Sequence, residues 1–163
     1  MKKLLLICVC FLFMFAPAQT LKGGVSEEYI PKGFFGSWGV ISKMQSATDP
    51  LKFNYESRDI WMLSGYSNVL ILQNLESGAY SEIEIKDKSI EGKTLKFERK
   101  KSLRTKEGNQ IHKEVVEFKL SGNNFSGTDK FTIENYDKNN KFKNADCATY
   151  AIAGTRISGS EKY

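Results

Sequence analysis

From Gly33 onward the chain is a succession of short apolar-rich runs separated by clusters of Gly, Asn, Asp and Ser. No window of about eleven residues carries the period of a helix. Strands are therefore expected at Phe35 to Met44, at Leu51 to Tyr55 with Arg58 to Leu63 as one bent run, at Asn68 to Gln73, and at Ala79 to Lys86. Four more follow at Thr94 to Lys101, Gln110 to Leu120, Phe125 to Glu134 and Ala148 to Ile157. Alternation assigns the faces, because successive side chains on a strand point to opposite sides. Ile83 and Ile85 oppose Glu82 and Glu84, and Leu95 and Phe97 oppose Lys96, Glu98 and Lys100. His112, Glu114, Val116, Phe118 and Leu120 share one face, as do Phe125, Gly127, Asp129, Phe131 and Ile133. Turn residues such as Ser77-Gly78, Glu91-Gly92 and Ser121-Gly122-Asn123-Asn124 separate the runs. Eight runs joined by short loops describe an all-β antiparallel meander, which can close into an eight-stranded up-and-down barrel. The alternative is a two-sheet β-sandwich, whose crossovers would have to lie near Thr48 to Ser57 and Asn135 to Ala148.

The first residues follow a different pattern. Met1-Lys2-Lys3 is basic, Leu4 to Phe15 is apolar throughout, and Ala16-Pro17-Ala18 offers small residues before Gln19. That is the plan of a secretory signal peptide, and the apolar run is shorter than the roughly 18 to 20 residues of a membrane span. The expected organisation is a signal peptide over 1–18, a flexible arm over 19–33, a β-domain over 34–158 and a tail over 159–163. A secreted or periplasmic protein without an integral membrane span follows. Cys8 and Cys10 fall inside the leader, preceded by Ile7 and Val9 and not by the small residue a lipidation site requires. The mature chain then keeps only Cys147, so no internal disulfide is available to it.

Charge adds little. The formal net charge of +5 falls to +3 when Lys2 and Lys3 leave with the leader. The densest basic stretch, Lys96 to Lys106, lacks the interleaved aromatics of a nucleic-acid groove, so no nucleic-acid partner is expected. It reads instead as a solvated strand end and turn. Nucleophile-elbow, phosphate-loop and metal-spacing motifs are missing, and His112 is the sole histidine. No catalytic residue, metal or cofactor is expected, although His112 and Glu114 share a face and could meet at a barrel mouth.

Two short motifs carry a family resemblance. Gly33-Phe34-Phe35-Gly36-Ser37-Trp38 contains the Phe-x-Gly-x-Trp that opens the first strand of lipocalins and their calycin relatives. Arg156, late in the last run, is similar to the arginine that in lipocalins packs across the first-strand tryptophan. The resemblance implies that Trp38 and Arg156 form this pair and close one end of a barrel. Thr128-Asp129-Lys130 departs from the Thr-Asp-Tyr of typical lipocalins, so the chain is lipocalin-like without matching the core family.

The expected function is binding of a small hydrophobic molecule inside the barrel. His112, Val116, Phe118, Asp129, Phe131 and Ile133 line the site, with His112 and Asp129 as its polar groups. The alternative is an interaction module, an inhibitor or accessory factor, with a protein partner and a barrel filled by its own side chains.

Overall fold

Nine antiparallel strands form one curled sheet in a computed structural model that describes residues 30–86 and 90–159. The strands are β1 (Gly36–Ala47), β2 (Glu56–Tyr66), β3 (Val69–Asn74), β4 (Ala79–Glu84), β5 (Ile90–Glu91), β6 (Thr94–Thr105), β7 (Gly108–Ser121), β8 (Asn124–Tyr136) and β9 (Phe142–Ser158). The leader, the arm up to residue 29 and the tail from residue 160 lie outside the described residues. The stretch read as an arm ends inside the fold, since Ile30 is buried and a 3-10 turn spans Lys32–Phe34.

The spatial order is β4-β3-β2-β1-β9-β8-β7-β6-β5. Apart from β4 and β5, which form the two edges, neighbours in sequence are neighbours in space, and the first strand pairs with the last. A single sheet with this order is a half-barrel, and the two sheets and crossovers of a sandwich are not observed. Sequence periodicity yields eight strands and the structure nine. The ninth, β5, is two residues long, too short to show any alternation. It hairpins into β6 through Gly92-Lys93, where Gly92 takes a φ of +58° that glycine adopts without strain. Strands β6 to β9 run 12 to 17 residues, whereas β3 and β4 have six each. One wall of the half-barrel is therefore much taller than the other. Among the described residues no helix is long and apolar enough to cross a membrane.

One end is packed solid. Trp38 lies opposite both Trp61 on β2 and Arg156 on β9, and its ring is fully buried. Phe125 stacks 5.9 Å from Trp61, 5.2 Å from Trp38 and 4.4 Å from Phe118. Phe34, carried by the 3-10 turn, meets Phe118 edge-on at 5.8 Å and caps the cluster. The Arg156 guanidinium sits 4.0 Å above the Trp38 ring and donates to the carbonyls of Phe35 (2.7 Å) and Gly33 (2.6 Å). Trp38 Nε1 donates to the Phe34 carbonyl at 3.1 Å. The arginine thus ties the entering chain to the last strand while its face shields the indole. Gly154 permits this arrangement, because a Cβ there would lie 2.1 Å from the Phe125 ring.

Two stability changes follow. Trp38→Ala should cost about 3 to 5 kcal/mol, the usual loss for a deleted buried aromatic. Gly154→Ala should cost about 1 to 3 kcal/mol by forcing the Phe125 ring aside. Both are read from denaturant midpoints, and an unchanged midpoint for either variant would contradict this packing.

Candidate functional site

The same alternation that fills the lower half of the sheet loads its upper half with polar groups. Along β6 the inward positions run Leu95, Phe97, Arg99, Lys101. Along β7, in register, they run Phe118, Val116, Glu114, His112. Leu95, Phe97, Val116 and Phe118 are buried in the core. At the next level Arg99 Nε donates to Glu114 Oε2, and Arg99 Nη1 donates to Asn74 Oδ1 at 3.0 Å. Asn74 Nδ2 in turn donates to Asp59 Oδ2 at 3.0 Å, and the other Asp59 oxygen accepts the backbone N–H groups of Ile60 and Glu76. The chain of bonds spans four strands, β6, β7, β3 and β2.

Asp129 on β8 completes the cluster from the side. It lies opposite Val116 on β7 and Tyr150 on β9, and only 9% of its surface is exposed. Its Oδ1 has no hydrogen-bond partner. Burial pushes the Asp129 pKa up to about 8, and the neighbouring Glu114 charge adds to this against the opposing pull of Arg99. Asp129 therefore keeps its proton at neutral pH and shares it with Glu114. The arrangement avoids two like charges in a low-dielectric site beside one guanidinium. Burial and the Asp129 charge likewise raise the Tyr150 pKa.

Above this layer a cavity of about 510 Å³ opens between β4 and β6. Gly78 to Ser81 form one side, Arg99 to Lys101 the other, and His112, Glu114 and Phe131 the back. His112 and Phe131 meet edge-on at 5.4 Å, and Phe53 from the β1–β2 connection meets Phe131 edge-on at 6.3 Å. That connection is anchored over β9 by the Lys52–Asp146 ion pair (2.7 Å) and by Thr48 and Cys147, which exchange backbone and hydroxyl bonds. Burial, then the Lys101 charge, lower the His112 pKa, so its imidazole is mostly neutral at pH 7.

The six expected ligand-binding residues divide between levels. His112 and Phe131 line the cavity, and Ile133 is half-buried opposite His112. Asp129 belongs to the proton-sharing layer beneath. Val116 and Phe118 lie deeper still, inside the packed core, where their own contacts fill the space. The partner of Glu114 is Arg99, while His112 Nε2 lies 3.4 Å from Gln110 Oε1. Cys147 is a free thiol beside Thr132 (3.7 Å), whose position on β8 places it on the opposite face from His112. Arg99 is the residue that sequence reasoning missed by grouping it with the solvated basic stretch. Extending the Leu95, Phe97 alternation by one step places it inside. Among the described residues no group of three or more His, Cys, Asp or Glu is placed to hold a metal ion.

Comparison with known proteins gives no matching family model, no matching curated protein and no matching solved structure.

The raised pKa of Asp129 has a thermodynamic consequence. The unfolded chain loses this proton near 3.8 and the folded chain near 8, so stability should decline as pH rises across that interval. Asp129→Asn, which keeps a donor of the same shape but cannot ionise, should flatten the decline. Thermal midpoints measured against pH test this, and equal slopes for the two proteins would refute the shared proton.

Proposed function

We propose that this is an exported, lipocalin-like protein that binds one small molecule with an apolar body in the open half of its sheet. The observation that carries the reading is the cavity of about 510 Å³ above the packed core, backed by the Phe131 and His112 rings. The size is that of a small-molecule site, and its lining is more polar than most, with Arg99, Lys101, His112 and Glu114 around the Phe131 ring. The leader supports export to the periplasm or the medium. The lipocalin-like reading draws on the meander order, the pairing of first and last strands and the arginine stacked on the first-strand tryptophan. Because Val116 and Phe118 are enclosed by the core, the ligand rests above them, on the Arg99–Glu114 layer.

A protein partner is the second reading. It is favoured by the exposed apolar residues Ile41, Met62 and Ile157 on the outer faces of β1, β2 and β9, where Ile157 lies over Gly39.

N-phenylnaphthylamine, a neutral fluorescent probe, should bind the folded protein with one-to-one stoichiometry. Phe131→Asp should weaken it about tenfold or more, equivalent to about 1.4 kcal/mol. Full-strength binding by a folded Phe131→Asp variant would move the site elsewhere, and no saturable binding by the wild-type protein would leave the partner reading ahead.

A further inference from the structure

The cavity's charged lining is lopsided. Arg99, Lys100 and Lys101 are cations, and Glu114 is the only carboxylate among the lining residues. Glu114 is already committed to Arg99, and Asp129 beneath it is the partner with which it shares a proton. Lys100 reaches Glu98 at 3.0 Å on the rim. Lys101 sits on the concave face directly opposite His112 and makes no ion pair among the described residues. The remaining carboxylates on the inner faces are engaged elsewhere. Asp146 is held by Lys52, and Asp59 lies behind Asn74, outside the cavity lining.

We propose that the bound molecule is an anionic amphiphile whose carboxylate, sulfonate or phosphate end sits between Lys101 and His112, with its apolar body along Phe131. This rests on the small-molecule reading above and specifies its ligand class. The Lys101 ammonium gives the negative end a charge-assisted donor, and His112, whose Nε2 faces Gln110 Oε1, adds a second once its ring takes up a proton. The Phe131 and His112 rings supply an aromatic wall for the rest, with Phe53 packed edge-on against Phe131.

The chain provides its own reporter, since His112 is its sole histidine. In the free protein, burial and Lys101 hold its pKa below the usual 6.5, and the other charged groups facing it are Arg99 on β6 and Glu114 on β7. From β8 it meets only Phe131 and Ile133. An anion seated at Lys101 cancels the repulsion and stabilises the imidazolium, so the pKa must rise.

The experiment titrates the mature protein with decanoate, decanol and decyltrimethylammonium, and follows the His112 ring proton by NMR as a function of pH. Decanoate should bind about tenfold tighter than decanol and raise the His112 pKa, while decanol leaves it unchanged. Lys101→Met should weaken decanoate about tenfold and leave decanol and N-phenylnaphthylamine where they were. Equal affinity for decanoate and decanol, or an unmoved His112 pKa at saturation, overturns the assignment of the anionic end while the binding function stands. Failure of all three chains and of the neutral probe to bind overturns both.

Discussion

The fold depends on the register that sets Trp38 opposite Trp61 on one side and Arg156 on the other. That pairing joins the first strand to the last. A meander closed in this way has its break in the middle of the chain, between β4 and β5. The break therefore falls far from the aromatic cluster and directly beside Arg99. The stacked guanidinium contributes twice. It covers the indole, and through the carbonyls of Gly33 and Phe35 it draws the incoming chain across the end of the sheet, which places Phe34 against Phe118. The cavity lined by Arg99, His112 and Phe131 lies at the opposite end, on the β4–β6 side.

Between the sealed end and the open one lies the ionic layer, and its energetics explain its composition. A buried ion pair is weak evidence for stability, because desolvation offsets the attraction, while an unpaired buried charge is strongly destabilising. Arg99, Glu114 and Asp129 meet both conditions once Asp129 keeps its proton, since one cation then faces one anion. Asn74 and Asp59 extend the network across the concave face from β6 and β7 to β3 and β2. Moving up β6 and β7, the inward positions pass from aliphatic and aromatic to paired ions, then to Lys101 and His112. Only the upper part of this gradient borders the cavity, where Phe131 offers an apolar surface beside Lys101 and His112.

Much of this was readable from alternation alone. The approximate positions of eight strands, the inward set on β7 and β8, and the outward Glu82 and Glu84 follow from a period of two acting on strands with one buried face. The expected run Leu51 to Tyr55 is instead a 3-10 turn and loop, and β9 begins at Phe142 and not at Ala148. What alternation could not supply is depth. Val116, Asp129 and Phe131 belong to the same concave face, yet they occupy the core, the ionic layer and the cavity wall respectively. Their level is decided by the register between strands and by strand length, and neither is a property of a single run. Arg99 was obscured for a related reason. A run of Lys and Arg resembles a solvated edge by composition, and only the phase inherited from Leu95 and Phe97 separates Arg99 and Lys101 from their outward neighbours. Ile30 was hidden in a stretch whose glycines and proline resemble a linker.

The rest of that basic run answers a constraint the open seam creates. Among the described residues no ladder joins β4 to β5 or β6, so the far edge of β6 above its two-residue partner β5 presents unpaired backbone groups. Exposed edges invite pairing with another chain, and natural sheets blunt them with charged side chains, lysine above all, and with short strands. Lys100, Lys101, Arg104 and Lys106 crowd the upper half of β6 and the turn that follows it. Across the seam β4 is only six residues long and carries Glu82 and Glu84 on its outer face. A seam guarded in this way can stay open for a ligand without becoming a template for aggregation. One residue of the guard, Lys101, falls on the inward phase of the strand. The same lysine-rich run that protects the edge thereby delivers a cation to the concave face.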